Sequence, residues 1–143
     1  MKKIYILLIS FLFASCEDSN IISQIAVLDE PFRLKLGQAK ILHSENLIVG
    51  FGELVGDSRC QEDVVCVWEG EARIKLYLLK PAQDTTFLLL KIPGFITAES
   101  KRHVSTDTLD YRFTLQQLDP YPNTSRQSRL SDYEALLVIS NSN

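Results

Sequence analysis

Residues 56–72 read Gly-Asp-Ser-Arg-Cys-Gln-Glu-Asp-Val-Val-Cys-Val-Trp-Glu-Gly-Glu-Ala and lead into the longest strand-like segment of the chain. They include the only tryptophan, Trp68, and two of the three cysteines, Cys60 and Cys66. From Cys66 onward the residues alternate with the period of a β-strand, whose side chains point to opposite faces in turn. The small or apolar face holds Cys66, Trp68, Gly70, Ala72, Ile74, Leu76 and Leu78. We therefore expect Trp68 in the structural core; an exposed, binding Trp68 is the alternative.

The two cysteines of this stretch are predicted to form a disulfide. Cys60 and Cys66 are too far apart in sequence for a zinc pair of the usual short spacing, and only His43 and His103 could add histidine ligands. An oxidising compartment, which the N-terminus indicates below, favours a disulfide over thiolates. We predict that bond and expect its loop of about seven residues to contribute roughly 2–2.5 kcal/mol. Free thiols and a bound metal are the alternatives.

The motif Asp-Ser-Arg-Cys-x-x-x-Val-x-Cys-x-Trp-x-Gly-x-Ala at residues 57–72 resembles the signature of a family of uncharacterised bacterial secreted proteins and lipoproteins. Typical members of that family have Pro and Ala where this chain has Gln61 and Glu69. The similarity extends upstream to residues 32–38 and weakly downstream as far as Tyr133. The family has no established activity, so the resemblance supports the fold prediction and implies no particular function.

The N-terminus has the pattern of a bacterial lipoprotein signal peptide. Two lysines precede an apolar run, residues 4–13, that is too short to span a bilayer. The sequence Phe-Ala-Ser-Cys that ends at Cys16 resembles a lipobox, with Phe13 in place of the usual Leu. We predict removal of residues 1–15, acylation of Cys16, and a tether over residues 16–26. An ordinary cleaved signal peptide is the alternative.

Charge and length limit the partners of the mature chain. Removing residues 1–15 leaves 128 of the 143 residues, enough for one domain, here predicted at residues 27–143. It removes two lysines and no acids, so the formal net charge falls from −3 to −5. This charge argues against nucleic acid and against electrostatic binding to anionic lipid. We therefore predict a protein of the bacterial cell envelope, at the outer membrane, held to the membrane through acylated Cys16.

Downstream of the tether the sequence predicts β-strands. Residues 87–92 are apolar at nearly every position, which predicts a central strand. Ser131 and Glu134 could cap a helix, but the residues that follow favour a strand. Residues 95–107 have no assignable pattern. Further strands are predicted from alternation or short apolar runs at residues 32–36, 39–42, 47–55, 66–78, 111–116 and 133–139. About seven or eight strands predict an all-β fold, an antiparallel β-sandwich of immunoglobulin-like architecture.

The sequence has no catalytic or nucleotide-binding signature, so we predict a non-enzyme without cofactor or resident metal. The best carboxylate pair is Glu69 and Glu71. On one strand face their side chains would stand about 6.5–7 Å apart at the root, a spacing that suits a cation or an acid/base pair. The alternative is a solvated face on which Arg73 neutralises Glu71.

The tripeptide Asp57-Ser58-Arg59 is the second candidate site. Asp and Ser before a turn commonly bond their own backbone, and an arginine can form a bidentate pair with a carboxylate. We favour a structural role for these residues in holding the disulfide loop over contact with a ligand.

Two functions from different classes fit these observations. The first is a non-enzymatic envelope domain, binding or structural, whose partner would be an envelope protein or a glycan. The second is a protease inhibitor that presents a loop from a small β-sandwich, for which residues 120–128 are the obvious loop. The sequence does not indicate an oligomeric state.

Overall fold

The computed structural model describes residues 25–43 and 45–142 of the chain. The predicted signal peptide, Cys16 and most of the tether therefore lie outside the described residues. Among those described, no helix has the length and apolar character needed to cross a membrane.

The described chain is nearly all β-structure. Its elements are β1 (Ile25–Ala26), β2 (Phe32–Lys35), β3 (Ala39–Leu42), β4 (Leu47–Asp57), β5 (Glu71–Leu79), β6 (Thr86–Pro93), β7 (Ser105–Thr108), β8 (Tyr111–Asp119), a 3₁₀ turn (Leu130–Asp132) and β9 (Glu134–Asn141).

These strands form two sheets, one in the order β1-β3-β4-β5-β6 and one in the order β2-β9-β8-β7. All pairs are antiparallel except β1 with β3. The predicted all-β antiparallel sandwich is confirmed. The fold resembles an immunoglobulin domain in architecture, because two sheets pack face to face. The order of the strands differs. Here the strands from β3 to β6 follow one another in one sheet and those from β7 to β9 in the other, whereas the chain of an immunoglobulin domain crosses repeatedly between its sheets.

The described part has nine strands, against the seven or eight expected. One of the additional short strands is β7, whose first three residues lie within residues 95–107, where the sequence has no assignable pattern. Another is β1: Ile25 and Ala26, assigned to the tether from the sequence, pair with Ile41 and Leu42, and Ala26 is buried. The folded domain therefore includes residues 25 and 26.

The core lies between the inner faces of the two sheets and follows the period of two along each strand. On β5, the four inward positions from Ala72 to Leu78 are fully buried, as the alternation predicted. The largest fully buried side chains are Phe51, Phe113, Leu34, Leu42, Leu47, Ile74, Leu76, Leu78, Leu90, Ile92, Leu115 and Leu118.

The prediction that residues 87–92 form a central strand is wrong. They form most of β6, which is the edge strand of the five-stranded sheet. Leu88, Leu90 and Ile92 face the core, while Phe87 and Leu89 are exposed on the outer face. An apolar run does not distinguish a strand buried on both faces from one whose outer face is apolar and uncovered.

Tyr111 gives a prediction about alkaline pH. It is buried, and its hydroxyl donates to the carboxylate of Glu45. Burial, followed by the hydrogen bond to Glu45 and that residue's charge, raises the pKa of Tyr111 to about 12. This difference in pKa makes the free energy of unfolding depend on pH. Its contribution to stability is fully present below pH 10, the ordinary pKa of tyrosine, and is lost as the pH rises from there through 12. In a tyrosinate absorbance titration, Tyr111→Phe should remove a transition near pH 12; its persistence would contradict the assignment.

Candidate functional site

The β4–β5 hairpin continues beyond its two strands into the motif-bearing loop. The amide of Ser58 donates to the carbonyl of Glu71 at 2.9 Å, and the amide of Cys60 donates to the carbonyl of Glu69 at 2.9 Å. The hydroxyl of Ser58 also donates to the Glu71 carbonyl, at 2.9 Å. Both the amide and the hydroxyl of Ser58 therefore form hydrogen bonds within the hairpin. These bonds, with the one from Cys60, hold the two sides of the loop together as far as the first cysteine.

The disulfide between Cys60 and Cys66 is present, with an S–S distance of 2.09 Å and a Cα–Cα distance of 5.9 Å. Cys60 is buried, whereas Cys66 and residues 61–65 between the cysteines are exposed. The disulfide therefore joins an exposed loop to a buried base.

The expectation that Trp68 lies in the structural core is wrong. Its side chain is 82% exposed, Val67 is 89% exposed, and Val65 is fully exposed. The strand begins only at Glu71, because Gly70 has a left-handed backbone (φ +67°) that interrupts the alternation. We refer to Val64, Val65, Val67 and Trp68 as the apolar tip.

A buried ion pair holds the base of this loop. Nε and Nη2 of Arg59 donate to the two carboxylate oxygens of Asp57 at 2.8 and 2.6 Å. The remaining guanidinium donors reach the carbonyls of Leu118 at 2.8 Å and Pro120 at 3.1 Å, and the guanidinium lies 4.6 Å from the ring centroid of Tyr121. Arg59 is only 5% exposed. Both charged side chains are thus satisfied within the protein, as the structural interpretation of this tripeptide predicts.

The loop after β8 supports the disulfide loop. The amide of Glu62 donates to the carbonyl of Pro122 at 3.0 Å, and Nδ2 of Asn123 donates to the Glu62 carboxylate at 2.8 Å. Both the amide and the hydroxyl of Thr124 donate to Asp63. These hydrogen bonds hold the pKa of Asp63 below its usual value. The two loops therefore form one connected surface.

The loop after β6 also supports the hairpin. The amide of Gly94 donates to the carbonyl of Gly70 at 2.9 Å. The guanidinium of Arg102 donates to the Glu69 carboxylate at 3.1 Å and to the carbonyl of Phe95 at 3.3 Å. The base of the apolar tip is therefore held by two other loops, the loop after β6 and the loop after β8.

The prediction that Glu69 and Glu71 share one strand face is wrong. Only Glu71 lies on β5, and Gly70 turns the backbone between the two carboxylates. Glu69 pairs with Arg102, while Glu71 lies 3.6 Å from Arg73. Over residues 25–43 and 45–142, no three His, Cys, Asp or Glu side chains are grouped so that they could hold a metal ion.

Two open clefts border the disulfide loop. One, of about 390 Å³, is lined by Glu62 and by the segments that contain Phe95 and Tyr121. The other, of about 440 Å³, is more polar and lies between Gln61 and residues 122–128. The first is the more apolar, and Phe95 at its edge is exposed. It could accept an apolar side chain beside the apolar tip.

Sequence reasoning did not identify Phe95 and Tyr121 as parts of this surface. Each is a single aromatic residue in a segment without periodicity, so neither carries a signal that a pattern could detect. Their position depends on the contacts between loops, such as the hydrogen bond from the amide of Phe95 to the hydroxyl of Tyr121 at 3.0 Å.

No protein-family model matches the chain, and neither the curated proteins nor the solved structures give a match. The resemblance to the family of secreted proteins and lipoproteins stays a prediction that rests on the motif at residues 57–72.

Proposed function

We propose that the chain is a non-enzymatic, lipid-anchored protein of the bacterial cell envelope that binds another protein through its apolar tip. The observation that carries the proposal is the exposure of Trp68 beside Val65 and Val67 on a loop whose base is fixed. A contiguous apolar patch on a soluble surface is typical of an interaction site, and tryptophan is enriched among residues that dominate binding energy.

The fixed base favours recognition because little conformational freedom is lost on binding. The disulfide and the buried Arg59–Asp57 pair already restrict the loop before a partner arrives. A rigid loop retains more of its contact energy as affinity than a flexible one does. The valines beside Trp68 favour a protein partner over a glycan, since aliphatic side chains offer no hydrogen bonds to sugar hydroxyls.

Trp68→Ala should abolish or greatly weaken partner binding and leave the fold intact. A binding hot spot is worth about 2–4 kcal/mol, which corresponds to a loss of affinity of roughly 30-fold or more. The measurement is capture from detergent-solubilised envelope extract, followed by the affinity of the recovered protein for purified variants. Leu130→Ala is the matched control, because Leu130 is also exposed, at 63%, but lies outside the tip. Equal binding by both variants would rule out the tip as the recognition surface.

The inhibitor alternative rests on residues 120–128, of which residues 124–127 are exposed. It predicts that the purified domain inhibits a protease at a stoichiometric concentration and that cleavage or mutation at Arg126 removes the inhibition. The binding proposal predicts that the domain inhibits none of the enzymes in a panel of serine, cysteine and metalloproteases. A protease recovered as the captured partner would favour the inhibitor.

The anchor has its own test. Cys16→Ser should release the protein from membranes in detergent-free fractionation, because the acyl chains are the proposed attachment. Intact-mass measurement of the native protein should show a chain that begins at Cys16 and carries added lipid. A Cys16→Ser protein that still sediments with the membrane would contradict the anchor.

A further inference from the structure

The outer face of the five-stranded sheet is apolar over the half that lies away from the apolar tip. The strand register places one row of apolar residues across the sheet: Ile25, Ile41, Ile48 and Leu79. In the next row, Tyr77 on β5 pairs with Phe87 on β6. We refer to these six residues as the apolar face. Phe87 is 67% exposed, and Ile25 and Ile41 are nearly half exposed.

Two glycines let the ring of Tyr77 lie close against β4. A Cβ atom on Gly50 would stand 2.0 Å from Cζ of Tyr77, and one on Gly52 would stand 3.2 Å from Cδ1. The ring therefore covers the backbone of β4 at these glycines. With Tyr77, the apolar face has a member on every strand of this sheet, as a surface that contacts another apolar layer requires.

Charged side chains begin only beyond these two rows. The next pair is Lys75 with Leu89, where Lys75 forms an ion pair with Glu53 on β4. The pair after that is Arg73 with Lys91. The six residues of the apolar face include no carboxylate, and lysines at its border can extend toward phosphate groups while their stems cover apolar surface.

The chain enters the domain at this face. Ile25, the first described residue, belongs to the apolar face and pairs with Ile41. It lies nine residues after Cys16, so the connection spans at most about 30 Å even when fully extended. Acylation at Cys16 therefore keeps the apolar face within reach of the bilayer surface.

We propose that the apolar face rests on the bilayer and that the apolar tip, at the other end of the sheet, lies outside that contact. The proposal rests on the acylation of Cys16 put forward above. β4 runs from the apolar face to the base of the tip, and its ends, Leu47 and Asp57, are about 33 Å apart at the usual strand rise. The same strand thus joins a membrane-contacting end to a partner-binding end.

Because acylated Cys16 anchors the protein, a weak affinity of the apolar face for lipid is enough to keep this face on the bilayer. Once Cys16 is in the membrane, contact of the apolar face with lipid is an intramolecular event at an effective concentration of roughly millimolar. An apolar face without a membrane-spanning segment can then remain in contact with the interface for most of the time.

The test uses the full-length acylated protein in vesicles of phosphatidylcholine. Nitroxide labels are placed on the apolar face by Ile41→Cys or Phe87→Cys, and on the tip side by Leu130→Cys as the matched exposed control. We expect both face labels to lose collisions with an aqueous nickel chelate and gain collisions with oxygen on binding to vesicles. The label at residue 130 should keep its aqueous profile.

Each other outcome overturns the proposal in a distinguishable way. Face labels that stay accessible to the nickel chelate, on a protein that is acylated and sediments with the vesicles, overturn the bilayer contact and leave the anchor standing. Spin–spin broadening between face labels of different molecules would show that a second copy covers the face instead. An unmodified Cys16 and a protein that does not sediment would overturn the anchor and the bilayer contact together.

Discussion

Arg59→Met is expected to destabilise the domain by about 3–5 kcal/mol, the usual cost of removing one member of a buried ion pair. The side chains of Arg59 and Asp57 are 2% and 6% exposed, so the variant leaves the Asp57 carboxylate without its main partner and out of water. It also frees the carbonyls of Leu118 and Pro120. The measurement is a urea melt of residues 17–143 followed by far-ultraviolet circular dichroism.

The control for this variant is Arg33→Met. Arg33 also bridges two acceptors, Asp119 at 3.0 Å and Glu134 at 3.1 Å, but its side chain is about half exposed. Exposed ion pairs contribute about 0–1 kcal/mol, so this variant should melt close to the parent. If the two variants lose equal stability, or if Arg59→Met loses less than about 1 kcal/mol, the buried pair does not hold the loop as described.

Gly70→Ala is expected to have the second largest effect, at least about 2–3 kcal/mol. One contribution is the left-handed backbone, φ +67°, which costs a residue with a Cβ roughly 1–2 kcal/mol. The other is steric: the new Cβ would stand 1.9 Å from the carbonyl oxygen of Ser58, so the hairpin backbone has to move. A shift there also disturbs the hydrogen bond from Gly94 to Gly70. The same urea melt measures the loss.

Two other glycines separate these contributions. Gly37 has φ +84° and no atom within 4 Å of an added Cβ, so Gly37→Ala should show the backbone cost alone. Gly56 also has open space around an added Cβ and no left-handed backbone, so Gly56→Ala should be close to neutral. Equal losses for Gly70→Ala and Gly37→Ala would show that the close approach to Ser58 is relieved at no cost.

The fold class was predictable because the period of two is a local property of the chain. Alternation at Phe32–Lys35, over residues 111–116 and in the segment from Ala72 to Leu78 marks inward faces that the structure confirms. The disulfide was predictable because the spacing of the cysteines argues against zinc and an oxidising compartment favours the bond over free thiolates.

The errors came from features that alternation does not encode. The pattern from Cys66 to Leu78 is continuous in sequence, but the left-handed backbone at Gly70 ends the strand and turns Trp68 outward. Whether β6 is central or at an edge depends on which strands pair, and its apolar outer residues misled the prediction. The surface around the tip is assembled from three loops, so its members are separated in sequence and share no motif.

Acrylamide quenching of the fluorescence of Trp68 tests recognition through the apolar tip, and Trp68 is a clean reporter because it is the only tryptophan. Recognition through the apolar tip predicts strong quenching and a fully hydrated emission spectrum in the free protein, followed by protection and a blue shift when the captured partner is added. A Trp68 that is already shielded in the free protein, or one whose quenching is unchanged in the complex, would contradict the claim.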